Sequence, residues 1–369
     1  MLQLLPAEPG MPVDEIDTPS LVVDLDAFEF NLDTMARLAA AAGVRVRPHA
    51  KTHKSPVVAH LQMARGAVGQ CVQKIAEAEV LAWGGVTNIL VSNEVVSPRK
   101  LARLAALTRI CTVAVCADSS RGVALIETAA KDADVRITVL VEIDVGAGRC
   151  GVAPGWKAVA LARQIVDSPH LNFGGLQAYH GAAQHQRTPE QRAASIAAAA
   201  RLTARVVEDL KHLGIECSIV GGAGTGTFEL EAASGVYNEL QVGSYVFMDA
   251  DYGRNKPALP FQNALFVRAT VMSAPHAGLA VIDAGHKAVA VDSGLPLVWQ
   301  RPGITYVGAS DEHGNLALAA DAVPLRIGEH VMLVPGHCDP TVDRYDWYVG
   351  VRNGRVERMW PVAGRGAMS

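Results

Sequence analysis

Short apolar runs recur along the first two thirds of the chain, separated by longer stretches whose apolar residues follow a helical period. Ser20-Leu21-Val22-Val23-Asp24-Leu25 reads as a strand. Asp26 follows as an N-cap for a helix with its apolar face on Phe28, Leu32, Met35, Ala39 and Ala42, closed by Gly43. The pattern then predicts strands over 45–49, 68–73, 88–92, 112–116, 136–144, 172–179, 216–220 and 239–243. Between most of them lie Ala-rich helical stretches such as 97–108, 119–130 and 191–213. The strands are nearly continuous apolar runs, as strands buried on both faces must be. Eight strands alternating with helices argue for an α/β chain folded as a parallel (β/α)8, TIM-like barrel over residues 26–255. A doubly wound open sheet is the rival architecture.

After Pro260 the texture changes to short, alternating, turn-bounded strands over 266–272, 279–284, 316–319, 331–334 and 348–351. His313-Gly314-Asn315 and Asn353-Gly354 read as hairpin turns. Residues 260–369 therefore form a C-terminal antiparallel β domain, and the left-over strand at 18–25 is expected to pair with it.

The chain has 369 residues, half of them apolar and 19% charged, which favours a large core over disorder. A net charge of −4 offers no basic footprint for nucleic acid or acidic lipid. Six scattered cysteines without a CxxC pair fit reduced thiols in a cytoplasmic protein. No basic leader precedes an apolar core at the N-terminus, and no run approaches the roughly 18 apolar residues of a membrane span. The expectation is a soluble cytoplasmic protein.

Chemistry gathers at the predicted strand ends. Pro48 stops the strand at 45–49, so Lys51 falls just past it, where such barrels carry their active sites. Lys51 there suits a phosphate or carboxylate partner or a Schiff-base amine; the bland alternative is a solvated loop lysine. Gly146-Ala147-Gly148-Arg149-Cys150-Gly151 has the spacing of a dinucleotide fingerprint, but no helix opens on its last glycine. Its Asp167 ends a helix rather than the next strand, so Arg149 at the strand end is the more useful residue. Gly221–Thr227 is either a phosphate cradle or a tight turn, and its place after the seventh barrel strand favours the cradle. Tyr179, His180 and His185 close the sixth strand, and either histidine can serve as a general base. His337-Cys338-Asp339 places two metal-ligating side chains on one face of an extended segment; Asp311-Glu312-His313 competes but sits beside a turn.

Lys51 in PHAKTHK, the GxGRCGV segment, YHGAAQH, the glycine loop and HCDPT occur in an order that resembles the D-threonine aldolases. These lie within the alanine racemase-like, fold-type III pyridoxal phosphate enzymes, and the likeness runs from Thr18-Pro19 to the region of Trp360. The resemblance implies a homodimer using pyridoxal 5'-phosphate and a divalent metal, Mn2+ ahead of Mg2+ or Co2+, on a small β-hydroxy-D-amino acid. Lys51 would carry the cofactor, and Arg149 would address its ring face or pyridine nitrogen. Tyr179, Gly222, Gly224, Thr225, Ser244 and Tyr245 would take its phosphate. His337 and Asp339 would hold the metal, with His185 as the base. The implied reaction is retro-aldol cleavage, as of D-threonine to glycine and acetaldehyde. A 3-hydroxyaspartate aldolase would need a further cation, for which Lys54, Arg254 and Lys256 are candidates. The related D-serine dehydratases carry Cys where this chain has Asp339. A non-catalytic pyridoxal phosphate carrier is the remaining alternative, though such proteins lack the C-terminal β domain.

Overall fold

The computed structural model describes residues 4–369. Strand β1 (Ser20–Asp24) runs straight into helix α1 (Leu25–Ala42). The N-cap is Asp24, not Asp26: its carboxylate accepts from the Asp26 and Ala27 N–H groups at 3.0 and 3.1 Å, which starts the helix within the strand's last residue. Phe28, Leu32, Met35 and Ala39 form the buried face, and Gly43 ends the helix in the left-handed region at φ 67°.

The barrel is then β2 (Arg45–Val46), β3 (Gln70–Val72), β4 (Asn88–Glu94), β5 (Thr112–Ala117), β6 (Ile137–Glu142), β7 (Leu171–Gln177), β8 (Ile219–Gly222) and β9 (Glu239–Leu240). Helices α2 (Pro56–Met63), α3 (Ile75–Trp83), α4 (Pro98–Leu107), α5 (Ser120–Asp132), α6 (Trp156–Asp167), α7 (Pro189–His212) and α8 (Phe228–Ala233) connect them. All eight strands pair in parallel, and β9 lies against β2. Closure between β2 and β3 falls to single bonds, Ala50 N–H to Cys71 O at 2.8 Å and Cys71 N–H to Pro48 O at 2.7 Å, because Pro48 removes a ladder donor. The open doubly wound sheet is thereby excluded. Strand residues Ile89, Val91, Val113, Val115, Val139 and Val141 face the helices in one large core. The barrel interior is small and partly polar: Arg47 is buried there against Glu239, Nε to Oε1 at 2.8 Å.

Beyond the short α9 (Ala250–Gly253), the chain forms β10 (Leu265–His276), β11 (Leu279–Ile282), β12 (Leu297–Val298), β13 (Ile304–Ala309), β14 (Gly314–Leu318) and β15 (His330–Val334). The chain then passes through α10 (Cys338–Val342) to β16 (Trp347–Arg352) and β17 (Arg355–Pro361). β1 sits inside this second sheet, antiparallel to β10 and parallel to β16. Asn353-Gly354 turns β16 into β17, both residues at positive φ. The other expected turn is displaced: Gly314 and Asn315 already pair within β14, so the chain reverses at Ser310–His313. The Asp311-Glu312-His313 cluster lies on that turn, with Glu312 on Lys287.

One apolar core fuses the two sheets. Phe28 stacks on Phe247 at 6.0 Å between ring centres, Phe247 packs on Tyr348 at 5.7 Å, and the Tyr348 hydroxyl donates to His53 O at 2.7 Å. The loop carrying Lys51 is therefore pinned from the β domain. Among the described residues no helix is long and apolar enough to cross a membrane.

Candidate active site

A cavity of about 270 Å³ opens at the C-terminal ends of the barrel strands. Lys51 after β2, Gln73 after β3, Arg149 after β6, Tyr179 after β7, Thr225 after β8 and Ser244 after β9 all line it. Each lies just past a strand because the loops there leave the ladder and turn their side chains inward.

Lys51 Nζ forms an ion pair with Asp339 Oδ2. Burial lowers the lysine's pKa, but the adjacent carboxylate outweighs it and the net shift is upward. Asp339 moves the opposite way: burial favours the neutral acid, yet Lys51 and His337 hold it below the usual carboxylate range. Beneath Lys51, His49 accepts the Lys51 N–H at Nδ1 (3.4 Å) and meets Gln73 Nε2 at 2.9 Å. Burial first, and then the charge on Lys51, keep this imidazole well below its ordinary pKa and hence neutral.

The GxGRCG segment is shaped as a loop. Asp144 accepts from the Gly146 and Gly148 N–H groups at 2.9 and 3.1 Å, and the guanidinium of Arg149 lies 5.9 Å from the Tyr179 ring centre. The next helix opens only at Trp156, so nothing here matches a dinucleotide site.

In the glycine loop, Ala223, Gly224 and Thr225 face the cavity. Gln184 lies behind them, bonded to the Gly226 N–H and the Thr227 hydroxyl; a Cβ on Gly224 would come within 2.5 Å of its Oε1. Two residues expected at the phosphate, Gly222 and Tyr245, do not line the cavity. Gly222 is inside the strand, where a Cβ would meet Ala178 O at 2.5 Å; it serves close packing rather than the cavity wall. The Tyr245 ring turns into the apolar core against Phe261, with its hydroxyl on Gln62. Only the Tyr245 N–H reaches the loop, donating to Thr225 Oγ1 at 3.0 Å.

His337 and Asp339 do meet, but not through an extended segment. His337 is extended as the N-cap of α10 and Asp339 lies in its first turn, with Nε2 and Oδ2 3.9 Å apart. Cys338 points away, buried, its thiol donating to Met248 O. Asp292 Oδ2 takes His337 Nδ1 at 2.8 Å, leaving Nε2 toward Asp339, whose Oδ1 is buried without a partner.

The two histidines after β7 differ sharply. His180 packs against Gly146, so closely that a Cβ there would lie 2.7 Å from its Nε2, and burial lowers its pKa. His185 stands half exposed with Nδ1 on Asp251 Oδ2 at 2.5 Å and its ring 5.8 Å from that of Tyr252, a cavity residue. Lys54 is not free for substrate: its ammonium is buried between Asp343 at 2.7 Å and Glu77 at 3.5 Å. Asp251 and Asp292 belong to no segment singled out in the sequence, and His49, although inside PHAKTHK, carried no expected role.

A parallel (β/α)8 barrel with a lysine at its mouth, joined to a mostly antiparallel β domain, is the architecture of the alanine racemase-like enzymes. Residues 23–251 match the model of the alanine racemase N-terminal domain, and 264–351 match a serine dehydratase domain. The chain is 47% identical to D-threonine aldolase of Arthrobacter sp over 98% of its own length and 96% of that protein's. It is also 47% identical to 3-hydroxy-D-aspartate aldolase of Paracoccus denitrificans (strain Pd 1222), covering 98% of this chain and 95% of that one. The crystal structure of D-threonine aldolase from Filomicrobium marinum superimposes with a TM-score of 0.98 at 49% identity, covering all of both chains. The chain belongs to the alanine racemase-like family, in the branch that holds the D-threonine and 3-hydroxy-D-aspartate aldolases.

Proposed function

We propose that the protein is a carbon–carbon lyase that cleaves β-hydroxy-D-amino acids, D-threonine to glycine and acetaldehyde being the simplest case. Pyridoxal 5'-phosphate is held at Lys51 and a divalent metal at His337 and Asp339. The observation that carries this reading is the meeting of Lys51, which lines the cavity, with Asp339 and through it His337, while His185 packs on the cavity residue Tyr252.

The residues present fit both groups. Across the same cavity, the Gly224 and Thr225 loop with Ser244 offers backbone and hydroxyl donors to a phosphate, and Gln184, packed so closely behind Gly224 that a Cβ would not fit, holds the loop in place. Arg149 and Tyr179 flank the space between the two ends. On the metal side, a buried carboxylate oxygen without a partner and an imidazole fixed through its other nitrogen are what a cation requires. Imidazole with carboxylate suits Mn2+, with Mg2+ and Co2+ behind it; two protein ligands leave positions open to substrate.

When bound, the cofactor accepts the electrons of the breaking Cα–Cβ bond and the metal polarises the β-hydroxyl. The chain's own work is to orient and to move one proton. Lys51 anchors, the glycine loop fixes the far end, and His185 accepts the hydroxyl proton at Nε2. The assembly is a homodimer, as the resemblance implies.

For a 3-hydroxy-D-aspartate substrate, the identity to both kinds of aldolase is equal, but Lys54 is buried in its pairing and Arg254 is engaged by Asp251 and Ser293 O, which leaves Lys256 as the freest of the three cations for the extra carboxylate. Dehydration is disfavoured, since Asp339 pairs with Lys51 while the Cys338 thiol is buried on Met248 O. The test is incubation with D-threonine, L-threonine, D-3-hydroxyaspartate and D-serine, with and without EDTA. Metal-dependent release of glycine and an aldehyde from the D-substrates alone is expected. Cleavage of L-threonine at a comparable rate, or pyruvate from D-serine as the main product, would refute it.

A further inference from the structure

His185 sits on a short turn, half exposed, and a histidine so placed has nothing in its own segment to fix its ring. What fixes it comes from elsewhere. Asp251, whose side chain is only 7% exposed, meets His185 Nδ1 at 2.5 Å. Asp251 is itself held by two arginines. Arg187 pairs with its Oδ1 and donates to its backbone oxygen at 2.8 Å, and Arg254 Nη2 meets the same Oδ1 at 2.7 Å. Its helix α9 is capped by Asp249, which accepts the Tyr252 N–H at 2.9 Å. The other Asp249 oxygen accepts the Cys338 N–H at 3.3 Å, so one carboxylate fastens both α9 and the turn that carries His337 and Asp339. Arg254 also donates to Ser293 O at 2.6 Å, beside the Asp292 that orients His337.

The geometry points to Asp251 as a positioning residue that holds His185 by Nδ1 and leaves Nε2 as the nitrogen able to take the substrate proton. The inference rests on His185 being the base and extends that reading to the group that prepares it. The physical reason is tautomer selection. With His185, Arg187 and Arg254 on it, Asp251 stays below the usual carboxylate range despite its burial, so it can only accept. Nδ1 must then carry the hydrogen, and a neutral ring has its lone pair on Nε2. Without Asp251 the ring is free to place the hydrogen on Nε2, where it cannot act as a base, and to turn away from Tyr252.

The experiment uses holoenzyme labelled with ¹⁵N at histidine, at about pH 9, above the ordinary imidazole range. His185→Gln assigns the His185 signals, and the side-chain nitrogen shifts report the tautomer in wild type and in Asp251→Asn. Wild type should show protonated Nδ1 and bare Nε2. Asp251→Asn should populate the other tautomer and lose about 10²–10⁴-fold in kcat, the range of a lost general base, with KM changed by less than about threefold and the cofactor absorbance retained. Asp251→Glu, which keeps the charge but misplaces it, should fall in between; it gives the same reading if the Asn variant does not fold. A wild-type ring protonated on Nε2, or an Asn variant with an unchanged tautomer and unchanged kcat, overturns the proposal. His185→Ala separates the two readings: undiminished aldehyde release in that variant refutes the base, while the nitrogen shifts still decide what Asp251 does.

Discussion

Lys51 is ion-paired with Asp339, which lies 288 residues further along the chain and belongs to the other sheet's domain. The pair joins the proposed cofactor residue to a proposed metal ligand, so each group's occupancy must be felt by the other. An ammonium on Asp339 competes with a cation for the same carboxylate. Lys51→Ala should therefore do two opposite things. It should abolish the borohydride-trapped pyridoxal phosphate adduct, and, measured against wild type with both proteins stripped of pyridoxal phosphate so that Lys51 is a free ammonium, it should tighten Mn2+ binding by about fivefold or more, which is ~1 kcal/mol for a partly exposed pair. Chelator competition measures the second effect without any turnover. Weaker Mn2+ binding in the variant, or an adduct retained on another lysine, would contradict this account.

The barrel was legible because its strands are buried on both faces and its helices on one, which writes two different periods into the chain. Lys51, Arg149 and Thr225 were legible for a related reason, since each lies in the loop that follows a barrel strand. Side chains whose role depends on a distant partner were not. Nothing local to Asp251 says that it will face His185, or to Asp292 that it will face His337. Tyr245 misled because its backbone touches the glycine loop while its ring belongs to the core, a distinction set by packing against Phe261 and Gln62. His337 and Asp339 were paired for the wrong geometric reason; an N-cap followed by a helical turn brings them together as an extended strand would have.

Asp292 should matter to the metal and to little else. It is partly exposed and fixes His337 through Nδ1, the arrangement by which an outer carboxylate orients an imidazole ligand. Asp292→Ala should weaken Mn2+ binding about 10–100-fold, with the pyridoxal phosphate adduct at Lys51 intact. Titration calorimetry with Mn2+ checks it, and an unchanged affinity would remove Asp292 from the metal site.

Glu231 should impose a pH dependence on stability. It is buried behind the glycine loop, with one oxygen accepting the Thr227 hydroxyl at 2.8 Å and the other without a partner, and burial pushes its pKa up to about 7 from an ordinary 4.5. Below about 4.5 both the folded and the unfolded chain hold the proton and folding carries no cost. Between about 4.5 and 7 the unfolded chain releases it while the folded one does not, so stability falls as pH rises, levelling off above about 7. The full effect corresponds to about 3 kcal/mol. Glu231→Gln cannot titrate, so the stability difference between variant and wild type should grow in the variant's favour from pH 5 to pH 8. Urea unfolding at the two pH values measures it, and a difference independent of pH would refute the assignment.

His185 and His180 should respond differently to removal. His180 is packed on Gly146 and lowered by burial, with Nδ1 buried and unbonded, whereas His185 is oriented by a carboxylate and stands over a cavity residue. If His185 takes the β-hydroxyl proton while the metal acidifies it, losing either should leave cofactor binding intact and stall cleavage. His185→Ala should keep the bound-cofactor absorbance and the exchange of substrate Cα hydrogen with solvent, yet lose about 10²–10⁴-fold in aldehyde release. His180→Ala should lose far less, and its loss should come with reduced thermal stability because its ring fills space beside the Gly146 loop. Removing the metal from His185→Ala should cost much less than removing it from wild type, since the two act on one proton in one step. The deciding comparison is kcat for the two alanine variants at saturating Mn2+. Should His180→Ala be the one that stops aldehyde release, the base lies on the packed histidine, and the carboxylate on His185 serves structure alone.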